Sequence, residues 1–164
     1  MTLKIIECKS DANYEKYATF FLKYRKDIYP LEDVQTIVTL MCDIYLRSHI
    51  FLLFDKQMNT VGSVTYSFEH DQNEMIIEQA LLHPDYRGTM TFIRCMREII
   101  DKAIKSMPTI QTITFHAEVN NPYINRMYSK FAKKGPTIDV FGVKRNLYTL
   151  DKNQFKQLQA KYAI

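Results

Sequence analysis

A strand–helix–strand unit in the middle of the chain constrains the fold more than any other feature. Residues 75–82 are apolar on both faces except at Glu78 and Gln79, which is the pattern of a central strand covered on two sides. Residues 91–104 carry apolar side chains at helical spacing, and residues 113–119 alternate apolar and polar side chains. Because such a crossover joins parallel strands, the sequence predicts a parallel pair at the centre of a mixed sheet.

The remaining elements flank this unit. Residues 2–8 are typical of a first strand, two amphipathic helices follow it, and residues 50–68 have the alternation and turn of a hairpin. Asn121 and Pro122 fit a helix N-cap and first turn, and two closing strands around Gly142 precede a polar helix. We therefore expect an α/β (α+β) fold with a largely antiparallel sheet of about six to seven strands, a parallel central pair and about four helices.

Length and composition limit the classes of protein that fit. The 164 residues suit one compact domain spanning 1–164. No stretch reaches the ~18 apolar residues needed to span a bilayer, and no secretory signal is evident, so we expect a cytoplasmic protein with no membrane partner. The formal net charge of +4 comes without a basic tract, so no strong nucleic-acid signal exists. Cys8, Cys42 and Cys95 lack metal-binding spacing and predict three buried thiols, with neither a disulfide nor a metal site.

A candidate anion-binding turn follows the central strand. Residues 81–91 read Leu-Leu-His-Pro-Asp-Tyr-Arg-Gly-Thr-Met-Thr and lead directly into the next helix. A turn of this kind presents consecutive backbone N–H groups at a helix N-terminus, where the positive end of the helix dipole favours a pyrophosphate. Arg87 adds a fixed positive charge.

A second motif lies in the following helix, where residues 121–130 read Asn-Pro-Tyr-Ile-Asn-Arg-Met-Tyr-Ser-Lys. Together, and in this order, the two motifs resemble the GNAT superfamily of N-acetyltransferases, over residues from about 61 to 135. The resemblance implies the GNAT fold. It also implies an acyltransferase that moves an acetyl group from acetyl-CoA, as co-substrate, to a primary amine.

The resemblance carries roles to particular residues. Tyr128 corresponds to the tyrosine near the cofactor thiol, where a phenol can act as general acid toward the leaving thiolate. Two small residues of the family's cofactor loop are replaced here by Met90 and Phe92, whose side chains would stand where the backbone approaches the phosphates or packs closely on the strand. The implied cofactor-binding residues are Leu81, Leu82, Arg87, Gly88, Thr89, Met90, Thr91, Asn121 and Tyr128.

Three residues compete for the role of general base. Glu78 lies in an otherwise apolar strand, where desolvation would raise its pKa into a useful range. His116 and Glu118 share the polar face of the next strand, and family members often carry a base near the position of His116. We predict His116 and Glu78 ahead of Glu118, although a buried, hydrogen-bonded structural role fits each of them too.

Alternatives to the acetyltransferase hypothesis remain open. The donor could be a longer acyl-CoA or an acyl carrier protein, or the chain could be a catalytically inactive GNAT scaffold that serves as a binding module. A small-molecule or protein amine would be the acceptor, and a homodimer is compatible with the sequence. In such folds the acceptor lies between the first two helices and the sheet; the candidate lining residues are Tyr24, Arg25, Tyr29, Glu32, Asp33 and Tyr45.

Overall fold

The computed structural model describes residues 2–161, which form one seven-stranded sheet with helices on both faces. The predicted order of elements is confirmed. The elements are β1 (Lys4–Glu7), α1 (Asp11–Ile28), α2 (Val34–Arg47), β2 (His49–Phe54), β3 (Thr60–Glu69), β4 (Glu74–Leu82), α3 (Met90–Ser106), β5 (Thr112–Glu118), α4 (Pro122–Tyr128), β6 (Lys133–Val140), β7 (Val143–Asp151) and α5 (Lys152–Lys161).

The sheet has the strand order β1-β2-β3-β4-β5-β7-β6. Its only parallel neighbours are β4 and β5, and every other adjacent pair in residues 2–161 is antiparallel. This confirms the mixed, largely antiparallel sheet with a parallel central pair. The described part of the chain has five α-helices, whereas about four were expected.

Two apolar cores lie on opposite faces of this sheet. In β2, Phe51 and Leu53 point into the core formed with α3, α4 and α5, while Leu52 and its alternate neighbours point into the core formed with α1 and α2. A strand buried on both faces explains why residues 50–54 form an uninterrupted apolar run. The sheet therefore separates two cores, and successive side chains along a regular strand face them in alternation.

Side chains near the helix ends fix where three of the helices begin. Ser10 and Asp33 cap α1 and α2, and the Asn121 side chain accepts a hydrogen bond from the Ile124 N–H at the start of α4.

No helix within residues 2–161 is long and apolar enough to cross a membrane. Of the cysteines, Cys8 and Cys95 are buried as predicted, but Cys42 is exposed on α2, so the expectation of three buried thiols was wrong for that residue.

Candidate active site

The central parallel pair separates along its length. The ladder joins Glu74–Ile77 of β4 to Thr112–Phe115 of β5, although β4 continues to Leu82 and β5 to Glu118. The carboxyl-terminal halves of the two strands therefore diverge, and β4 has an edge without a strand partner there. Unpaired strand groups at such an edge can bind an extended ligand by backbone hydrogen bonds.

A β-bulge in β4 lies where this divergence begins. Thr65 of β3 faces Gln79, and the next residue, Tyr66, faces Ile77, so Glu78 is the additional residue of the bulged strand. Glu78 and Gln79 consequently direct their side chains to the same face, the one covered by α1 and α2. Regular alternation would have put one of these polar groups in the opposite, apolar core.

A buried hydrogen-bond network connects α1 to the sheet at this place. The Tyr17 hydroxyl donates to Gln79 Oε1 at 2.9 Å, and Gln79 Nε2 donates to the Tyr29 hydroxyl at 3.2 Å. Arg145 of β7 also donates to the Tyr29 hydroxyl, from Nη2 at 3.2 Å. Because both tyrosines are fully buried, their pKa values are raised and they stay neutral.

Glu118, the last residue of β5, lies beside this network. Its side chain is almost fully buried, and Oε1 lies 3.8 Å from Arg145 Nε, beyond hydrogen-bond distance. Both of those atoms are buried without a hydrogen-bond partner. Burial raises the pKa of the Glu118 carboxyl to about 7, while the charge of Arg145 opposes that rise. The carboxyl can therefore gain or lose a proton near neutral pH.

His116 lies two residues earlier on the same face of β5. Burial, reinforced by the charges of Arg145 and Arg47, lowers the pKa of its imidazole to about 4. Its Nδ1 lies 3.4 Å from Arg145 Nη1. The ring is consequently neutral at physiological pH, and its affinity for a proton is low.

Glu78, the other sequence-predicted base, is held by several partners. It forms an ion pair with Arg47 at the end of α2, and its carboxylate accepts hydrogen bonds from Ser48 and, at 3.1 Å, from Ser67. The side chain is 2% exposed. The hydrogen-bonding capacity of this carboxylate is therefore already satisfied by the protein.

Tyr128 approaches the diverging strands from the opposite face of the sheet. Its ring packs against Phe115 at 4.8 Å and against Tyr148 at 5.9 Å between ring centroids. Its hydroxyl is buried and has no hydrogen-bond partner. Burial raises its pKa well above the ordinary value, and the charge of Glu118 adds to the rise. The Tyr128 hydroxyl therefore stays neutral at physiological pH.

The turn between β4 and α3 is fastened to its surroundings. Arg87 donates from Nε to the Leu82 carbonyl at 2.9 Å and forms an ion pair with Asp27 of α1. Gly88 has a φ of +73°, which glycine adopts without strain, and its N–H donates to the Tyr123 hydroxyl at 3.3 Å. The loop thus makes contacts with both α1 and α4.

Helix α3 begins at Met90, directly after the turn that the sequence predicts as an anion-binding site. Thr89 is the N-cap residue, but its side chain donates to the Tyr86 carbonyl and provides no cap bond to the helix. Met90 is 45% exposed, whereas Phe92 is fully buried in the core beneath α3. The Phe92 side chain therefore packs between α3 and the sheet, the second of the two positions expected for the replaced small residues.

A narrow crevice brings four of the nine sequence-predicted cofactor residues together. Its volume is about 20 Å³, and it lies between the end of β4, the turn and the start of α4. Its lining includes Leu81, Leu82, Arg87 and Asn121, all of which the sequence indicated. Tyr123 also lines it. Thr91 is buried and lies at the first turn of α3.

The other side chains predicted for the acceptor pocket have mixed positions. Tyr29 belongs to the buried network, but Asp33 caps α2 and the Tyr45 hydroxyl donates to the Tyr14 carbonyl at 3.2 Å.

Arg145 is a residue of the site that was not predicted from the sequence. Residues 143–147 read Val-Lys-Arg-Asn-Leu, with three successive polar side chains, and that pattern does not show which of them is buried.

The strand order, the diverging parallel pair and the turn into α3 are those of the GNAT fold, which the chain has. No protein-family model matches the sequence, and no curated protein matches it. Solved structures do match over nearly the whole chain.

Three of these structures illustrate the likeness. A GNAT-family acetyltransferase from Staphylococcus aureus Mu50 is 14% identical, covers 92% of this chain and 99% of its own, and gives a TM-score of 0.72. Ribosomal-protein-S5-alanine acetyltransferase from Vibrio fischeri is 15% identical, with 94% and 96% covered and a TM-score of 0.69. Spermidine N-acetyltransferase from Vibrio cholerae, in complex with CoA and spermine, is 13% identical, with 94% and 98% covered and a TM-score of 0.62.

Proposed function

We propose that this protein is an N-acetyltransferase that moves an acetyl group from acetyl-CoA to a primary amine by direct attack. The observation that carries the proposal is the pair of buried groups at the diverging strands: Tyr128, with an unpartnered hydroxyl, and Glu118, whose carboxyl has a pKa of about 7. A neutral phenol and a carboxyl that titrates near neutrality are the proton donor and acceptor that acyl transfer to an amine requires.

The donor-binding part of the proposal rests on β4 and the turn that follows it. Beyond Ile77, the edge of β4 that faces β5 offers backbone groups to the amides of a pantetheine arm, and Leu81 and Leu82 belong to that segment. The pyrophosphate is assigned to the N-terminus of α3, from Gly88 to Thr91, with Arg87 beside it. Phe92 leaves this approach clear because its side chain is buried in the core.

We assign the proton acceptor to Glu118 in preference to the two residues favoured from the sequence. His116 has too little proton affinity, since its pKa is lowered to about 4. Glu78 has its charge neutralised by Arg47 and its oxygens occupied by two serines. Glu118 combines burial, an oxygen without a hydrogen-bond partner and a pKa near 7.

The reaction balances with these two groups. Glu118 removes a proton from the ammonium form of the acceptor, and the neutral nitrogen attacks the thioester carbonyl carbon. The C–N bond forms, the C–S bond breaks, and the departing sulfur takes a proton, while the nitrogen loses its second proton to solvent, so that one proton is released for each amide formed. Because the pKa of Tyr128 is raised well above its usual value, its phenol acts first as a hydrogen-bond donor to the developing thiolate and then as general acid. Exchange with solvent returns the proton from Glu118 to the phenol.

The acceptor is an amine on a small molecule or on a protein. Two of the similar structures bear the names of a spermidine N-acetyltransferase and of a ribosomal-protein-S5-alanine acetyltransferase, which supports an amine acceptor in general. The diverging strands on the α1 and α2 side, next to Tyr29 and Arg145, are the assigned place of attack. Homodimer formation stays a prediction.

Donor binding is the first test. Acetyl-CoA at millimolar concentration, bound with a micromolar dissociation constant, should stabilise the fold by roughly 4 kcal/mol, which a thermal-shift measurement detects. Acetylpantetheine, which lacks the phosphates and the nucleotide, is the matched control and should stabilise the fold much less. An absence of any shift with acetyl-CoA would contradict the proposal and favour a scaffold without donor.

Turnover is the second test. Thiol release from acetyl-CoA, measured against a panel containing a polyamine, free amino acids and peptides with a free N-terminus, identifies the class of acceptor. The proposal expects amine-dependent thiol release above the rate of hydrolysis. Release with longer acyl-CoA donors but not with acetyl-CoA would correct the acyl group and leave the mechanism intact.

A further inference from the structure

A second, apolar cavity lies on the face of the sheet opposite Glu118. Its volume is about 340 Å³, and it runs between α3, α4 and α5. Phe115 of β5 and Leu150 of β7 form its base, while Ile93, Met127 and Phe155 form its walls. A volume in this range and a mainly apolar lining are typical of small-molecule sites. We call it the α3–α5 groove.

Cations provide all the charge at the α3–α5 groove. Among the described residues that line it, the charged ones are Arg94, Arg97 and Lys130, and there is no carboxylate. Arg94 and Lys130 are exposed, so their charged ends lie toward the solvent while the apolar side chains lie deeper. This arrangement complements a ligand with an apolar body and one anionic end.

The side chains that line the groove also favour an alkyl chain over a purine ring. Apart from the three cations, its side chains are aliphatic, aromatic or thioether groups, which provide no strong hydrogen-bond donor or acceptor. A purine would leave its ring nitrogens without side-chain partners there, and burying such groups unpaired is unfavourable. An alkyl chain carries no such cost. Met90, Met96 and Met127 can adjust their unbranched side chains around it.

We propose that the α3–α5 groove binds a carboxylate with an unbranched alkyl chain of medium length. The chain lies along Ile93, Met127 and Phe155, and the carboxylate pairs with Arg94 and Lys130 at the rim. The groove adjoins the assigned pyrophosphate site at Met90, but binding of the carboxylate does not depend on the proposed acyl transfer.

The groove adjoins the aromatic cluster that holds Tyr128. Phe115 and Phe131 both line the groove, and their ring centroids lie 4.8 Å and 6.0 Å from that of Tyr128. A ligand packed against these two rings would restrict their motion and so the position of the tyrosine. Occupancy of the groove is thus expected to change turnover as well as stability.

Isothermal titration with decanoate, without any acyl donor, tests the proposal directly. We expect saturable binding with one site per chain. Arg94→Gln should weaken it about tenfold, as expected when a charge-assisted contact is lost. Lys102→Gln is the matched control on the same helix: Lys102 pairs with Glu98 and does not line the groove, so decanoate affinity should be unchanged.

Two further arms separate the alternatives. Decylammonium, with the same chain and the opposite charge, should bind at least tenfold more weakly than decanoate. Titration of decanoate into protein saturated with CoA should give an unchanged stoichiometry. Mutual exclusion of the two, with equal loss of CoA affinity in Arg94→Gln, would assign the groove to the donor's nucleotide and overturn the proposal. Absence of saturable binding, or equal binding to Arg94→Gln and wild type, overturns it as well.

Discussion

The Tyr128 hydroxyl is both a candidate functional group and a source of instability, because it is buried without a hydrogen-bond partner. A buried hydroxyl without a hydrogen-bond partner typically costs about 1–3 kcal/mol relative to one that is satisfied. Packing alone would be served equally well by phenylalanine, since the ring already contacts Phe115, Phe131 and Tyr148. The hydroxyl is therefore better explained by its chemistry than by the fold.

Substituting this residue should separate activity from stability. We expect Tyr128→Phe to lower kcat about a hundredfold with little change in KM, because the lost hydrogen bond forms mainly in the transition state. Its melting temperature should be equal to or above that of the wild type. Steady-state kinetics and calorimetry measure the two effects.

Tyr148→Phe is the matched control for that substitution. Tyr148 packs against Tyr128, and its hydroxyl donates to Asn125 Oδ1 at 2.9 Å. Its loss should cost about 1 kcal/mol of stability and leave kcat nearly unchanged. If Tyr128→Phe turned over at the wild-type rate, its phenol would have no part in proton transfer.

The pH profile identifies the proton acceptor. Glu118 accepts a proton only when ionised, so kcat should rise with pH and level off above its pKa of about 7. Glu118→Gln should lower kcat at pH 8 by about a hundredfold and abolish this rise. His116→Gln is the comparison and should keep a rise with a midpoint near 7. A profile that loses its midpoint in His116→Gln instead would transfer the role to the histidine.

At the scale of single elements, the order of helices and strands followed from residue periodicity together with turn and helix-cap residues. The uninterrupted apolar run of β2 follows from its position between two apolar cores. The alternation in β5 predicts one apolar face, but Thr114 and Glu118 on its other face are buried as well. The bulge at Glu78 could not be predicted in this way, because it depends on the pairing of β4 with β3. That bulge decides which core Glu78 faces.

The turn between β6 and β7 is an element whose sequence does not suit its conformation. Val140 pairs with Val143, and the two residues between them have positive φ angles, 54° at Phe141 and 85° at Gly142. Such a turn favours Asn or Asp at its first central position, whereas a bulky side chain is strained there. The Phe141 side chain is 53% exposed, so burial recovers little of that cost.

Relieving this strain should stabilise the hairpin. We expect Phe141→Asn to raise the free energy of unfolding by about 0.5–1 kcal/mol, measured by urea denaturation. Phe141→Ala is the matched control, since it also removes the ring but keeps a residue that disfavours positive φ. An equal gain in both variants would show that removal of the ring, and not the backbone conformation, is responsible.

At the scale of the whole molecule, the candidate site depends on contacts between distant parts of the chain. Tyr29 and Arg145, hydrogen-bonded at 3.2 Å, are 116 positions apart. Local sequence patterns carry no information about such a pair. The motif residues were predictable because they form one turn and one helix, but the surroundings that set the pKa values of Glu118 and His116 arise only after the sheet has assembled.

These two residues oppose each other in the pH dependence of stability. Burial raises the pKa of Glu118 from 4.5 to about 7, so its ionisation destabilises the fold as pH increases through that interval. Burial lowers the pKa of His116 from 6.5 to about 4, so its protonation destabilises the fold as pH decreases through that interval. Over its whole interval, each ionisation changes the free energy of unfolding by about 3 kcal/mol. In the wild type the two contributions to the pH dependence of that free energy have opposite signs and largely cancel.

Removing either Glu118 or His116 should leave the pH dependence of the unfolding free energy that the other residue causes. Relative to wild type, Glu118→Gln should gain about 3 kcal/mol of unfolding free energy between pH 4 and pH 8, because the variant has no carboxyl to ionise. His116→Gln should show the opposite trend, with its advantage over wild type growing as pH falls from 6.5 to 4. Guanidinium denaturation across this pH range measures both differences. A difference that stays constant with pH in either variant would mean that the corresponding pKa is not shifted in the folded protein.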